Sequence, residues 1–403
     1  MFRFIAFKFS ASILAMSMLA ISILTVMILM PATAYAAPPR EIPYDFALSR
    51  ALTRDTELIP LDRMVRQANV RARELLDEHL ALVNIDRALA DEVYGRRIME
   101  LAERDRLQRE HDRRSFNIEM TLRSYLANIA EHEANLVMLE KNADFLETSL
   151  EQTRLRHELG MASDMDLREA EHQLEQVRLN YEMLSLTLEN QRHQLNRLIH
   201  HPITANIQIV YEIEELEPLL QLSDREIQRL VDRDHNLLYW RETVAIRRHE
   251  WQRRVENPDV DIRILEMRLE AATADNNLVA AAAAQFELQR RRENPDMDRE
   301  HYRLQHRLAV IERDMAERQA ELNVRNSLAE WERLVEEEIA ITADLNQAIS
   351  DYEDMKIRLE AGLVTQLQVN AMQLAVAAQE ARLVRHGYDF WIAGLRVGQP
   401  YLR

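Results

Sequence analysis

The chain contains no cysteine. That excludes disulfide staples, a lipidated N-terminal cysteine and any thiolate metal or redox site. Glycine is nearly missing too, with 6 in 403 residues. So few tight turns cannot connect the many strands of a sandwich or an α/β fold, which leaves long helices or coiled coil. There is no excess of positive charge: 51 Lys and Arg face 68 Asp and Glu, a net of −17. Nucleic acid is therefore excluded as a partner, because phosphate binding needs a basic face. The charge is spread as interleaved Arg and Glu, the pattern of solvated helix surface. No Ser-His-Asp order and no Gly-rich phosphate loop can be pointed to, so the chain reads as a non-enzyme without a cofactor.

One long apolar run is present, at the start. Arg3 and Lys8 precede an almost wholly apolar stretch from Ser10 to Met30, and Ala34-Tyr35-Ala36 follows as a cleavage signal. This marks a secretory signal peptide, residues 1–36. The run is about twenty residues, long enough to serve instead as an uncleaved N-terminal anchor. Either way the remainder is expected outside the cytoplasm.

The rest is organised around two short words. Leu159-Gly160-Met161-Ala162-Ser163-Asp164-Met165-Asp166 is echoed by Ala361-Gly362-Leu363-Val364-Thr365-Gln366-Leu367-Gln368, 202 positions later. In each, a glycine just past a helix-forming run suits the left-handed residue that closes a last turn. Ser163 or Thr365 then supplies an N-cap, and Asp166 or Gln368 the other half of a capping box. The reading is helix, tight turn, helix, given twice as a tandem repeat. The expected divisions are an extended lead-in at 37–60, a first helical hairpin at 61–202, a linker with one strand at 203–222, and a second hairpin at 223–403.

Heptads support the hairpins. Leu167, Leu174, Tyr181, Leu188 and Leu195 recur every seven residues, as do Leu367, Leu374, Ala381, Tyr388 and Leu395. A seven-residue period held this long implies left-handed supercoiling against a partner. Leu179, Met183 and Leu186 begin a second stripe, as expected of a helix with two neighbours. Leu61 to about Ala102 reads as one helix, followed by the very polar Glu103–Arg114 as an exposed loop or exposed helical turn. Ile203–Ile213 alternates like a strand, whose partner must lie elsewhere, for instance in another subunit. Beyond it, helix is expected from about Asp224 to Val255. Asn257-Pro258 and Asn294-Pro295 then bracket an Ala-rich helix, Leu265–Arg292, with a long helix from Asp298 to Glu360 after it.

These words resemble the TolC-like outer-membrane efflux proteins. The matching residues are Gly160-Met161-Ala162-Ser163 with Leu195-Asn196-Arg197-Leu198-Ile199, and Gly362-Leu363-Val364-Thr365 with Leu395-Arg396-Val397-Gly398. The resemblance implies a homotrimer whose paired helices build a tunnel, an exit duct for drugs, metals or secreted proteins. It also implies hairpin tips that meet a periplasmic adaptor (membrane fusion) protein and, through it, an inner-membrane pump. The location implied is the cell envelope, outer membrane or periplasm. One departure stands out. The family places two strands between the first and second long helices of each repeat, and a membrane strand needs about nine to eleven alternating residues. Charge at Glu103–Arg114 and alanine at Leu265–Arg292 occupy those places, so the barrel is expected to be missing. The competing expectation is a non-conducting extracytoplasmic coiled-coil spacer derived from such channels.

Site candidates follow from the same words. The resemblance makes Asp166 and Glu169 an acidic entrance, at most half a ring since Gln368 and Ala371 hold the matching places; capping and the helix dipole are the favoured explanation. Glu169-x-x-His172 has di-iron spacing but lacks a second copy, so no metal is expected. His200-His201 suits a helix end. Trp331 and Trp391 sit on heptad stripes and are expected in the core. Met161, Leu363 and Val364, neighbouring apolar residues at the bends, ask for a partner.

Overall fold

The computed structural model describes residues 40–211, 222–256, 258–293 and 295–399. The expected signal peptide, the first residues of the lead-in and half of the linker (212–221) lie outside the described residues, as do Asn257 and Asn294. Two compact units separate, one holding 1–41 with 206–208 and the other 42–205 with 209–403. In the first, the Arg40 N–H donates to the Asn206 carbonyl at 2.9 Å.

The elements run β1 (Arg40–Pro43), α1 (Tyr44–Arg54), α2 (Leu58–Leu82), α3 (Arg87–Glu158), α4 (Asp164–Leu198) and β2 (Ile207–Val210). The second half is α5 (Asp224–Val231), α6 (His235–Trp251), a π-helical turn (Gln252–Glu256), α7 (Pro258–Ala274), α8 (Leu278–Glu293), α9 (Pro295–Glu360) and α10 (Gln366–Gly398). The 72 residues of α3 make a rod roughly 108 Å long. β1 and β2 pair as a two-stranded sheet, the whole β content among the described residues.

Antiparallel pairs α3/α4 and α9/α10 form the two hairpins, and α10 also packs along α3. The order across the large unit is thus α4, α3, α10, α9. Apolar seams hold it. Leu174, Val177, Leu188 and Leu195 of α4 are buried, as are Val369, Ala377, Ala381 and Tyr388 of α10. Each buried Leu or Val contributes about 1.5–3 kcal/mol, and each Ala about 0.8 kcal/mol. Beside the α3/α4 seam runs a ladder of ion pairs in heptad register: Arg154–Glu171 at 3.0 Å, Arg178–Glu147 at 2.6 Å and Arg192–Glu133 at 2.7 Å. All six side chains are about half exposed, so each rung adds at most about 1 kcal/mol and sets register rather than stability.

The duplication extends past the hairpins. Ile118 on α3 packs with Ala51 and Leu58, while Ala320 on α9, 202 residues on, packs with Ile227, Val231 and Leu237. From Leu58 to Leu237, however, the offset is only 179. The second repeat therefore carries 23 more residues between its short helix and its long one, and the α7/α8 hairpin accommodates them.

Several expectations need correcting. The helix expected over Leu61–Ala102 breaks at Val83–Asp86, where the Asp86 carboxylate accepts from the Ala88 and Leu89 N–H groups and starts α3. Glu103–Arg114 is neither loop nor exposed turn but a half-buried stretch inside α3. Leu107 is 5% exposed and packs on Leu61 and Val65. Arg109 forks onto Glu242 of α6 at 2.5 and 2.8 Å, and Arg114 reaches Asp55 at 3.0 Å. The charge is interhelical glue. The lead-in is not merely extended: α1 buries Ala47 and Ala51. The strand starts only at Ile207, because the Asn196 amide donates to the carbonyls of Ile203 and Ala205 and holds them in a turn; its expected end at Ile213 lies outside the described residues. Its partner is β1 of the same chain. The helix expected over Asp224–Val255 is interrupted after Val231, where Asp234 caps α6. The Ala-rich segment is two helices, bent at Asp275-Asn276-Asn277 with Asn276 at φ 52°.

Candidate functional site

The two hairpin tips are built alike. Gly160 and Gly362 sit at φ 70° and 72°, the left-handed region that a Cβ penalises. The Met161 N–H donates back to the Arg156 carbonyl at 2.7 Å, and Leu363 N–H to Arg358 at 2.8 Å. These bonds close the last turns of α3 and α9. The next helix then starts on a complete capping box. Ser163 N–H donates to the Asp166 carboxylate at 2.8 Å while Asp166 N–H donates to the Ser163 hydroxyl at 3.2 Å. In the second tip Thr365 N–H donates to the Gln368 side-chain oxygen at 2.9 Å, and Gln368 N–H to the Thr365 hydroxyl at 3.4 Å. The backbone and hydroxyl hydrogen bonds from Ser163 hold the Asp166 carboxyl below the usual carboxylate range.

What the tips offer to solvent is apolar. Met161 and Leu363 are each 75% exposed, and Met165 is 71% exposed. Ala162 and Val364 are half-buried behind them. Past the bend only the first tip carries acid, and part of it is internally engaged: Asp164 pairs with His157 at 2.6 Å. Glu169 is exposed on the first turns of α4. The structure brings neither Asp166 nor Glu169 together with a third ligand, and among the described residues no group of three His, Asp or Glu could hold a metal ion. His172 instead meets Gln176 at 2.9 Å. His200 and His201 close α4, their N–H groups donating to Arg197 and Asn196. Both tryptophans are core: Trp331 packs on Phe390 at 4.0 Å, and Trp391 stacks on Tyr211 at 5.3 Å with the Arg123 guanidinium 4.3 Å above it.

A second feature was legible only as the extra stripe on α4. The face of α10 that packs on α3 carries Ala381 (8% exposed), Arg385 and Tyr388 (6%). The residues 202 positions earlier are Leu179, Met183 and Leu186, and they are 51, 60 and 67% exposed. On α3, Met120 packs with Phe116 and Leu395; its counterpart on α9, Leu322, is 54% exposed. The same contact surface is thus occupied in the middle of the row and bare at both of its edges.

No family model and no curated protein matches the sequence. Solved structures do match in fold. A membrane protein from Pseudomonas aeruginosa aligns over 93% of this chain and 96% of its own, at 14% identity and a TM-score of 0.58. The channel-forming CusC aligns over 93 and 95%, at 11% identity and a TM-score of 0.59. The outer membrane protein VceC from Vibrio cholerae aligns over 89 and 95%, at 11% identity and a TM-score of 0.54. The chain therefore has the fold of TolC-like channels: two tandem, long antiparallel helical hairpins. Among its described residues that fold comes without membrane strands, and none of the described helices is long and apolar enough to cross a membrane.

Proposed function

We propose that this chain is an envelope duct component acting in efflux or secretion, a homotrimer whose hairpins close into a helical tunnel. The observation that carries the reading is that the duplicated hairpins repeat the surfaces of one contact, made once inside the chain and left bare at its two edges. Within the chain, α10 packs along α3, with Leu395 against Phe116, Arg385 paired with Glu131, and Ala381 and Tyr388 buried in the same heptad row as Leu395. A second copy can offer the α3-like face of its α9 to the α4 of the first, and the same step, repeated, closes a ring. Such an interface is heterologous, one edge meeting a different edge, which is how cyclic assemblies form. The exposed Met161 and Leu363 at the tips suit an adaptor protein, with Gly160, Ala162, Ser163, Gly362, Val364 and Thr365 shaping the bends and Asp166 and Glu169 standing at the entrance. Export to the envelope fits the N-terminal segment, and the tandem hairpins 61–202 and 223–403 are its working units.

The spacer reading is kept by one observation, the lack of membrane strands among the described residues. Light scattering and planar-bilayer conductance separate the two. Trimers that conduct support the duct. A protein that stays monomeric and washes from membranes at high salt supports the spacer. Loss of adaptor capture in Met161→Ser/Leu363→Ser, with the trimer intact, tests the tips.

A further inference from the structure

The 23 residues by which the second repeat exceeds the first are spent on α7 and α8, and α8 has two apolar faces. Ala284 (9% exposed) and Leu288 (8%) face α7. On the opposite side Leu278 and Val279 are 81 and 82% exposed and Phe286 is 68% exposed, with Ala282 and Ala283 exposed between them. At about 100° per residue these five fall on one outward stripe more than two turns long. It carries no charge, and Leu278 and Val279 are among the most exposed large apolar side chains described. No described residue of this chain covers it.

We infer that the α8 stripe is a self-association surface, covered by a second copy of this chain on assembly. The inference rests on the ring reading, and three observations favour this occupant. First, α8 leads into α9, whose outward row Leu304, Leu308, Ile311 and Met315 is 48–56% exposed and belongs to the edge that the ring reading gives to a neighbour. Second, alanines between larger side chains let a facing helix approach closely, as in helix–helix packing. Third, the exposed Asp275 and Glu287 bracket the stripe, so sinking it into lipid would draw carboxylates into the bilayer. The apolar stretch 278–286 is also only about 13 Å long, well short of the roughly 30 Å of a hydrocarbon core.

The absence of cysteine gives a clean test. Val279→Cys, Ala283→Cys and Phe286→Cys, each alone, are labelled with a fluorescent maleimide in the assembled protein and after dissociation by dilution. Thr273→Cys, exposed on α7, is the control. Assembly is expected to slow labelling at the three stripe positions about tenfold or more and to leave the control unchanged. In parallel, Phe286→Glu is expected to weaken assembly about tenfold or more, the affinity equivalent of one buried aromatic side chain; Thr273→Glu is not. If light scattering shows the ring intact while stripe cysteines label as fast as the control, this inference falls and the ring reading stands. Protection that appears only with phosphatidylethanolamine–phosphatidylglycerol vesicles overturns it in favour of lipid. A chain monomeric at every concentration overturns both.

Discussion

Replacing Gly160 and Gly362 together by alanine isolates what the two bends require. At φ 70° and 72° a Cβ at either position meets no heavy atom within 4 Å, so packing plays no part and only backbone strain remains. An L-residue in the left-handed region costs about 1–2 kcal/mol. Alanine also narrows the unfolded ensemble, which returns about 0.4–1 kcal/mol. The net is about 1 kcal/mol lost per tip, or about 2 for the pair, since the bends share no partners. Gly387 provides the opposite sign. It lies inside α10 with open space around its Cβ direction, and there alanine gains up to about 1 kcal/mol of helix propensity. Urea melts followed by far-UV circular dichroism should therefore shift the midpoint down for the double tip variant and up for Gly387→Ala. Hydrogen exchange in the last turn of α3 should accelerate in the tip variant alone. Equal stabilisation by alanine at all three glycines would refute the reasoning, because the chain would then run as helix through its supposed bends.

Arg123 is the second place to press. It donates to Glu119 at 2.6 Å and to the Trp391 carbonyl at 2.9 Å, tying α3 to α10. At 14% side-chain exposure, Arg123→Met strands a half-buried carboxylate and should cost about 2–4 kcal/mol by chemical denaturation; adding Glu119→Gln should return part of it. Acid should also loosen the second repeat. Burial pushes the pKa of His249 and His235 down, so the unfolded chain binds more protons than the folded one near pH 6. Their contribution is then complete above about pH 6.5 and fades as pH falls below it; melting points should drop between pH 7.5 and 5.5, less steeply in His249→Gln. Finally, 202 residues beyond Arg123 lies Arg325, which turns back to its own Glu321 at 2.8 Å, and the place matching Trp391 is Glu189, 65% exposed. If copies repeat the in-chain contact, Glu189→Arg and Arg325→Glu should each weaken assembly and the double reversal restore it, as read by sedimentation.

The parts visible in the residues were those with a local cause. A glycine, a hydroxyl three positions on and a side chain able to cap marked both bends without any knowledge of neighbours. Period-seven leucines marked the long helices for the same reason. What escaped notice was set by tertiary contact. Glu103–Arg114 carries too much charge to look buried, yet Arg109 and Arg114 find carboxylates on other elements. Asp275-Asn276-Asn277 bends a helix that its alanines alone would continue. The strand after His201 was shortened by one amide, Asn196, whose reach to two carbonyls no periodicity reveals.

The duplication itself explains where new surface arose. A repeated hairpin inherits both of its packing faces, so a chain with two copies necessarily leaves one of each unmatched at its edges. Selection can make those edges polar, ending the series, or keep them apolar, extending it to further chains. Leu179 and Leu186 remained apolar where Ala381 and Tyr388 are covered, and Met183 stands where Arg385 reaches across to Glu131. Burying three such side chains per interface is worth several kcal/mol, and their exposure in a lone chain would invite aggregation. That balance favours assembly over solitude, and the decisive variant is Met183→Glu/Leu186→Glu. It should leave the hairpin helical by circular dichroism while lowering the sedimenting species to a single chain; if the assembled species persisted unchanged, the edges would owe their apolar character to something other than a neighbouring copy.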